Sequence, residues 1–514
     1  MARLRRLVLA EGGLPVVWVA LTCFALYPVW HQRMLPMLDT PNHLALARGW
    51  HDFHDPASRI AEFYDLRVRM VPYWLFYGSI HVLMYVVDVE TANKLFLSAY
   101  LVLFPLAVLA LARSLGRSPW LALFAFPIAF NQNWIYGFAS YLMSVTLALF
   151  CLAALLRWLE TRRAGYVFAL GVCVTLSYLA HILPWFLFGL CAIAILLREA
   201  RKWQAGVVAA AVMLPSVLMA CTAVFEDRQE RTYIKDSTFA ATFTDFPGAL
   251  LAFPKRVMEI VPGPFDTRVL LTLVLTLVLL FALSRWVPTM RREPGPLAGT
   301  HKLVLWILFF AYLSLPYEIH KPMSWWYVGP RLPSLIFVVL ALYPPVELSG
   351  WRRIALLPVI VCGVALPLKL ARLYRSYSTR NLPALKLIEE TPRGALTLVV
   401  VRNMVLGKGA EEKSGDSSSS GPVYWHFPEW PMALRGGYGP FTFDQGIPVV
   451  PKVKLTTPAF GTTNTFSFRQ GPEYQYYVVR DATDEMDREP SVKLVRRLGE
   501  WTLYERIHAT SDEP

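Results

Sequence analysis

Long apolar segments recur along most of the chain and are separated by short polar connections. Many contain about 17–22 residues, the length that an α-helix needs to cross the hydrocarbon core of a membrane. The pattern therefore predicts a polytopic α-helical membrane protein with about 11–12 transmembrane helices. The candidate spans are 14–30, 72–88, 94–112, 119–130, 137–158, 165–180, 182–198, 204–225, 267–287, 302–316, 331–347 and 354–370.

The pattern changes after residue 370. Alternating or β-rich runs appear at 395–401, 475–479 and 491–506, and such runs are typical of strands. We therefore predict two units: a transmembrane bundle over 1–370, and a small soluble α/β domain over 371–514.

Three further stretches stand out between the predicted elements. Residues 31–71 and 226–266 are long connections, which we interpret as external loops of the bundle. Residues 408–421 combine serine, glycine and charged residues without apolar periodicity, and this composition predicts a disordered insertion.

Composition supports the membrane interpretation. Of the 514 residues, 55% are hydrophobic and only 17% are charged, whereas soluble domains carry roughly 25% charged residues. The net charge of +13 comes largely from Lys and Arg in short connections between spans. This distribution indicates orientation by the positive-inside rule rather than a nucleic-acid surface. We expect a multi-pass protein of the cell membrane.

The basic connections also predict which loops share a side. If each lies in the cytoplasm, region 72–112 crosses the membrane once, with 72–88 in the interface or re-entering. Asp39, His181 and the unit 371–514 then all lie on the extracytoplasmic face. The alternative is twelve spans with one connection that disobeys the rule.

A short polar string, Leu38-Asp39-Thr40-Pro41-Asn42-His43, directly follows the first apolar segment. Asp39 has two interpretations here. It could cap a helix that begins at Thr40, with Pro41 in the first turn. It could also act as a general base on a hydroxyl group near the membrane surface. The sequence leaves both open, and they are compatible.

With Asp39 and His43 after a first span, a many-span bundle, and a small terminal domain ending in a strand at 501–506, the chain resembles the GT-C superfamily of membrane glycosyltransferases. The expected architecture is mannosyltransferase-like or aminoarabinose-transferase-like. The resemblance implies a polyprenyl-phosphate-linked sugar donor, a glycan, lipid or protein acceptor, inversion at the anomeric carbon, and Asp39 as catalytic base. Many members carry two adjacent acids, but here Thr40 follows Asp39. A divalent cation is therefore an open question, and the sequence identifies no other cofactor.

A phosphate-bearing donor requires cationic or hydrogen-bonding groups on the same face as Asp39. A charge at the start of a span is costly unless it is paired, and guanidinium groups match phosphate oxygens. Arg331 opens the predicted span 331–347 and could bind the donor phosphate. The alternative is that Arg331 is an interfacial side chain that reaches lipid headgroups. For His181 the alternative to substrate binding is a structural role as a hydrogen-bonded residue at a helix end. The substrate-binding candidates are His43, His181, His320, Lys321 and Arg331.

Two aromatic stretches could also line a sugar site. The turn 131–136 combines amide and aromatic side chains, which also suits an interfacial turn. Stretch 424–430 could cover the site or bind the acceptor, or it could simply pack its domain.

Three other functions stay open: a lipid-linked glycan ligase or polymerase that uses loop 226–266, a membrane transporter, and a non-catalytic lipid-binding protein.

Overall fold

The computed structural model describes residues 13–198, 202–230, 240–261, 263–290, 298–321, 325–402, 423–443, 447–458 and 466–507. The expected insertion 408–421 and part of loop 226–266 lie outside these residues. The α-helices are α1 (Leu14–Trp30), α2 (Thr40–His51), α3 (Ile60–Phe63), α4 (Trp74–Leu83), α5 (Val89–Ser114), α6 (Ala125–Ala129), α7 (Gln132–Ile135), α8 (Ala139–Thr161), α9 (Ala164–Ala180), α10 (Ile182–Leu196), α11 (Lys202–Glu230), α12 (Phe246–Val257), α13 (Phe265–Trp286), α14 (Ala298–Ser314), α15 (Pro333–Ala341), α16 (Leu357–Glu390), α17 (Trp430–Arg435) and α18 (Asp484–Asp487).

The strands are short and form three sheets within the described residues. Their bounds are β1 (Tyr64–Leu66), β2 (Ala240–Thr242), β3 (Glu318–Lys321), β4 (Trp325–Trp326), β5 (Thr397–Val401), β6 (Val449–Pro451), β7 (Tyr476–Arg480), β8 (Val492–Leu498) and β9 (Trp501–Arg506). The sheet orders are β1-β6, β2-β3-β4 and β5-β7-β9-β8.

The apolar segments form helices close to the predicted positions. By length and composition, 5 helical segments in the described chain are suited to cross a membrane: Val89–Ser114, Ala139–Thr161, Trp203–Thr222, Phe265–Trp286 and Gly350–Glu390. Shorter apolar helices make up most of the remaining bundle. The predicted number of 11–12 spans stays a prediction.

Region 72–112 forms two helices of very different length. Helix α4 has 10 residues and is only about 15 Å long, half the thickness of a hydrocarbon core. Helix α5 has 26 residues, and its first turn is capped by the Asp88 carboxylate, which accepts a hydrogen bond from the Thr91 amide at 2.8 Å. These lengths fit a single crossing, which remains a prediction.

Helix α16 joins the bundle to the C-terminal region. It has 34 residues, so position 370/371, where we expected a domain boundary, lies inside one continuous helix. Trp501 docks on the far half of α16 by donating from its indole nitrogen to the carbonyl of Arg380 at 3.2 Å.

The predicted C-terminal α/β region is present. Strand β7 pairs in parallel with β5 and antiparallel with β9, and β8 and β9 form an antiparallel hairpin. All five residues of β5 are buried although the strand lies at one edge of its sheet, as expected for a continuously apolar strand that is covered on both faces.

The first loop packs against this C-terminal region. Strand β1 pairs with β6, with Tyr64 opposite Pro451. Arg48 on α2 donates a hydrogen bond to the carbonyl of Ala433 at 3.0 Å. Just after α2, the Asp52 carboxylate contacts Arg393 at 2.9 Å. Residues distant in sequence therefore meet at β1 and at the C-terminal end of α2, the helix that follows Asp39.

Candidate functional site

The backbone at Asp39 is held by the turn 131–137. The amide of Leu38 donates to the carbonyl of Ile135 at 2.9 Å, and the amide of Asp39 donates to the carbonyl of Tyr136 at 3.0 Å. Gly137 allows this close approach. Its φ is +79°, and a β-carbon there would lie 3.1 Å from the Asp39 amide nitrogen. The turn therefore fixes the start of α2.

The Asp39 carboxylate does not cap the helix that it precedes. Asp39 occupies the N-cap position of α2, but its side chain makes no capping hydrogen bond. Its Oδ1 lies 3.5 Å from Nε2 of His426, and the Asp39 side chain is 14% exposed. The carboxylate is thus directed into a site formed with the C-terminal region.

Burial raises the pKa of Asp39 from 3.8 to about 7, and the positive charge of Arg331 opposes this rise. A carboxyl group with such a pKa takes up and releases a proton near neutral pH. This is the property that general acid–base catalysis requires.

Arg331 supplies a buried positive charge to the same site. The residue is 4% exposed, and its Nε and Nη2 atoms donate to the carbonyls of Tyr327 and Trp326 at 2.8 and 3.0 Å. Nη1 lies 3.1 Å from Nε2 of His181, and the guanidinium carbon lies 3.8 Å from the centre of the Phe138 ring. These contacts hold Arg331 in the protein interior.

His181 lies between α9 and α10, as the sequence indicated. Its Nδ1 accepts a hydrogen bond from the Leu183 amide at 3.2 Å, which caps α10. Burial, helped by the charge of Arg331, holds the pKa of His181 well below its usual value. His181 is therefore a neutral ring with the expected structural role at a helix end, and it lies beside Arg331. Because Nδ1 accepts from Leu183, Nε2 carries the proton and does not accept from Arg331.

His43 is buried among aromatic rings beside Asp39. Its Nδ1 lies 2.8 Å from Oη of Tyr77, and the Tyr73 ring contacts both His43 and His181. Burial lowers the pKa of His43 to about 3, with smaller effects of His426 and Arg331. The partner found for the His43 ring is therefore Tyr77, and its expected role in substrate binding stays a prediction.

His320 and Lys321 belong to β3, which pairs with β4, the strand whose Trp325 and Trp326 contact His181 and Arg331. Nε2 of His320 lies 2.8 Å from Oγ1 of Thr242 on β2, and the His320 side chain is 47% exposed. Lys321 is the last residue of β3, and its side chain lies outside the described structure. Their expected role at a phosphate stays a prediction.

The turn 131–137 also connects to a second acid that the sequence did not single out. Gln132 donates to Glu259 at 3.0 Å and accepts from the hydroxyl of Tyr327, while Lys255 contacts Glu259 at 2.8 Å. The amide of Gln132 therefore joins this turn to Glu259 and Tyr327, and the role of the turn in sugar binding stays a prediction. A signal existed in the sequence, because Glu259 is an acid just ahead of a Pro-Gly-Pro stretch and an apolar span.

The sequence also missed the roles of Asn42 and His426, although both lie in stretches that it highlighted. The side-chain nitrogen of Asn42 contacts Nδ1 of His426 at 3.1 Å and the carbonyl of Phe441 at 2.8 Å. Nothing local in the sequence pairs these distant positions.

Across the described residues there is no group of three or more His, Cys, Asp or Glu side chains arranged to hold a metal. Thr40 replaces the second acid next to Asp39, and the charge that acts on this carboxylate is the positive one of Arg331.

Solved structures provide a comparison for this geometry. The chain is similar to ArnT from Cupriavidus metallidurans bound to undecaprenyl phosphate, with a TM-score of 0.55, 12% identity, and coverage of 96% of this chain and 98% of ArnT. The architecture is GT-C-like. The apo state of the same protein gives a TM-score of 0.52 at 13% identity, covering 97% and 98% of the two chains. The GT-C-like architecture expected from the sequence is thus confirmed.

No protein-family model matches the sequence, and no curated protein matches it. At this level of identity the likeness concerns the fold. The roles of individual residues must be argued from the geometry of this chain.

Proposed function

We propose that this protein is an integral membrane glycosyltransferase. It transfers a sugar from a polyprenyl-phosphate donor to an acceptor hydroxyl on the extracytoplasmic face, with inversion at the anomeric carbon. Asp39 is the catalytic base. The supporting observation is a largely buried, uncapped carboxylate whose pKa burial raises to about 7 and which interacts electrostatically with the buried Arg331. It lies in a fold whose solved neighbour is bound to undecaprenyl phosphate.

The reaction is a single displacement. The acceptor oxygen attacks the anomeric carbon and forms the new glycosidic bond, while its proton passes to the Asp39 carboxylate. The bond between the anomeric carbon and the phosphate oxygen breaks, and the bonding electrons leave with the polyprenyl phosphate. Asp39 must be ionised at the start, which its pKa permits around neutral pH.

Arg331 provides fixed positive charge close to Asp39. Preorganised charge stabilises negative charge that develops in a transition state, because the site does not need to reorganise during the reaction. In this proposal Arg331, supported by His181, stabilises the departing phosphate. His43, His320 and Lys321 complete the set of donor-binding residues.

The test is transfer by the purified protein in phospholipid vesicles. Undecaprenyl-phosphate sugars with different sugar groups are supplied one at a time, with a mixture of glycan, lipid and peptide acceptors. We expect release of undecaprenyl phosphate with one or a few donors, and a product of inverted anomeric configuration.

Other outcomes assign the other functions. Movement of an intact donor across the vesicle membrane would identify a transporter. Joining of whole lipid-linked glycans would identify a ligase or polymerase. Binding of every donor without consumption, under conditions that support the fold, would contradict the enzymatic proposal.

A further inference from the structure

We propose that His426, contributed by the C-terminal region, is a positioning residue for Asp39. Asn42 fixes the His426 ring in the tautomer whose Nε2–H is directed at the Asp39 carboxylate. This inference rests on the proposed role of Asp39 and adds that the active site is complete only when the C-terminal region is docked.

The orientation of the Asn42 side chain is set by two backbone groups. A backbone N–H can only donate a hydrogen bond, and a backbone carbonyl can only accept one. The amide of Phe443 donates to Oδ1 of Asn42 at 3.1 Å, and the carbonyl of Phe441 accepts from Nδ2 at 2.8 Å. An amide side chain offers two acceptor sites on oxygen and two donors on nitrogen. Asn42 therefore presents its NH₂ group, and not its oxygen, to the neighbouring His426.

The tautomer of His426 follows from this orientation. Nδ1 of His426 lies 3.1 Å from Nδ2 of Asn42, so Nδ1 must accept the hydrogen bond. In a neutral imidazole the proton is then on Nε2. Burial lowers the pKa of His426 to about 4, so the ring is neutral at physiological pH. The Nε2–H group faces Oδ1 of Asp39 at 3.5 Å.

The segment that orients Asn42 is itself held by a buried acid. Oε1 of Glu429 accepts from the amide of Phe441 at 2.6 Å, and Glu429 is fully buried. The residue stands next to α17, which packs on α2. A continuous set of contacts therefore runs from the C-terminal region through Phe441, Asn42 and His426 to Asp39.

The other groups around Asp39 have different effects on its ionisation. Arg331 favours the carboxylate from the loop before α15. His43 on α2 is neutral, and Tyr77 on α4 and Tyr136 in the turn are phenols that interact with the Asp39 charge. His426 is neutral, comes from the C-terminal region, and faces the Asp39 carboxylate with Nε2 at 3.5 Å. In this proposal it donates to the carboxylate, and such donation lowers the pKa of a carboxyl group.

Two variants separate this role from simple packing. In His426→Gln the side-chain amide nitrogen can occupy the position of Nε2 and still donate to Asp39. In His426→Asn the shorter amide reaches only the position of Nδ1, so the donor to Asp39 is lost. The measurement is the pH dependence of kcat and of kcat/KM for sugar transfer.

We expect the wild-type rate to rise with pH through a midpoint near 7, the pKa of Asp39. In His426→Asn we expect this midpoint to move up by about one pH unit, a tenfold change in the ionisation constant, with a lower kcat. In His426→Gln we expect it to stay near the wild-type value. Equal midpoints in the wild type and both variants would overturn the inference.

A second readout does not depend on activity. The pKa of Asp39 is raised in the folded state, so ionisation of the carboxyl group costs stability. Relative to Asp39→Asn, the stability of the wild type is highest below pH 4, falls as the pH rises towards 7, and is level above that. Thermal unfolding midpoints of the two proteins over this range measure the difference.

The same comparison is made between His426→Asn and the double variant His426→Asn/Asp39→Asn. Here we expect the stability difference to keep falling to higher pH than in the wild-type background. If His426→Asn does not fold, Asn42→Ser removes the tautomer lock instead and should move the midpoint in the same direction. A protein without transferase activity that shows this stability pattern would contradict the proposed function and leave the His426 inference intact. If the enzyme is active but His426→Asn leaves the stability profile unchanged, the His426 inference is overturned and the proposed function is not.

Discussion

At the scale of single residues, the site is defined by burial of charge. Asp39 and Arg331 carry opposite charges and are largely removed from solvent, and isolated ions are costly in such surroundings. The protein satisfies Arg331 with two carbonyls and a ring face, whereas Asp39 carries no helix-capping bond. The carboxylate is therefore the group that can exchange a proton with a substrate.

Replacing Arg331 tests the electrostatic coupling between the two residues. Arg331→Gln removes the positive charge that favours the Asp39 carboxylate, so the acid limb of the pH–rate profile should move to higher pH. We also expect a loss of about 100-fold or more in kcat, as for removal of a transition-state donor. Arg331→Lys keeps the charge but not the planar fork.

The lysine variant is the matched control for this comparison. It should show a reduced kcat with an acid limb close to the wild-type position. An Arg331→Gln enzyme whose acid limb stays at the wild-type pH would show that Arg331 does not act on Asp39.

Part of the residue-scale picture was predictable from the sequence. Asp39, His181 and Arg331 stand at the ends of apolar segments, and this position alone marks them as polar groups at a membrane boundary. Their mutual contacts depend on how α2, α10 and the loop before α15 approach one another. The partner of Asp39, His426, could not be found because no local pattern joins residues so distant in the chain.

At the scale of elements, the turn 131–137 decides where α2 begins. Two backbone hydrogen bonds join this turn to Leu38 and Asp39, and Gly137 provides both a positive φ and the space for them. The apolar pattern predicted the helices on either side. It could not predict this docking, because the turn residues are equally suited to a membrane interface.

The variant Gly137→Ala should therefore displace Asp39 without altering its chemistry. A left-handed conformation costs a non-glycine residue about 1–2 kcal/mol, and the added β-carbon would lie 3.1 Å from the amide nitrogens of Asp39 and Thr40. We expect a loss of about 10- to 100-fold in kcat, because catalysis is sensitive to small displacements. Steady-state transfer assays and thermal unfolding provide the measurements.

Gly165→Ala is the control for the same substitution. A β-carbon at this α9 position would meet nothing within 4 Å, so activity should be unchanged and stability should rise slightly. Comparable activity losses in the two variants would mean that the position of the turn does not matter.

At the scale of the whole molecule, the C-terminal region packs against the first loop and places His426 beside Asp39. The sequence predicted its strands, since they alternate or are continuously apolar. Its placement depends on contacts that only the fold creates: β1 with β6, α2 with α17, and the ion pairs at Asp52. The long α16 helix links it directly to the bundle.

Asp52 tests this docking away from the site. Its carboxylate is 7% exposed and receives hydrogen bonds from Arg48 at 3.1 Å and Arg393 at 2.9 Å. We expect Asp52→Asn to lower the free energy of unfolding by about 1.5–3 kcal/mol, the range for hydrogen bonds to charged groups. Transfer activity should fall with it, because the segment that carries His426 shifts.

The matched control is Glu62→Gln, which removes a largely exposed partner of Arg59. Exposed ion pairs contribute at most about 1 kcal/mol, so stability and activity should stay near the wild-type values. Equal stability of the two variants would show that the ion pairs at Asp52 do not hold the C-terminal region in place.

The most direct test of Asp39 as the base is the rate of a single turnover with bound donor and acceptor. Asp39→Asn is compared with Asp88→Asn, the same change at an exposed acid that caps α5. We predict that Asp39→Asn binds the donor lipid like the wild type but releases undecaprenyl phosphate about 100- to 10,000-fold more slowly, the range for loss of a general base. Asp88→Asn should react at the wild-type rate. Release by Asp39→Asn at the wild-type rate would contradict the assignment of Asp39 as the catalytic base.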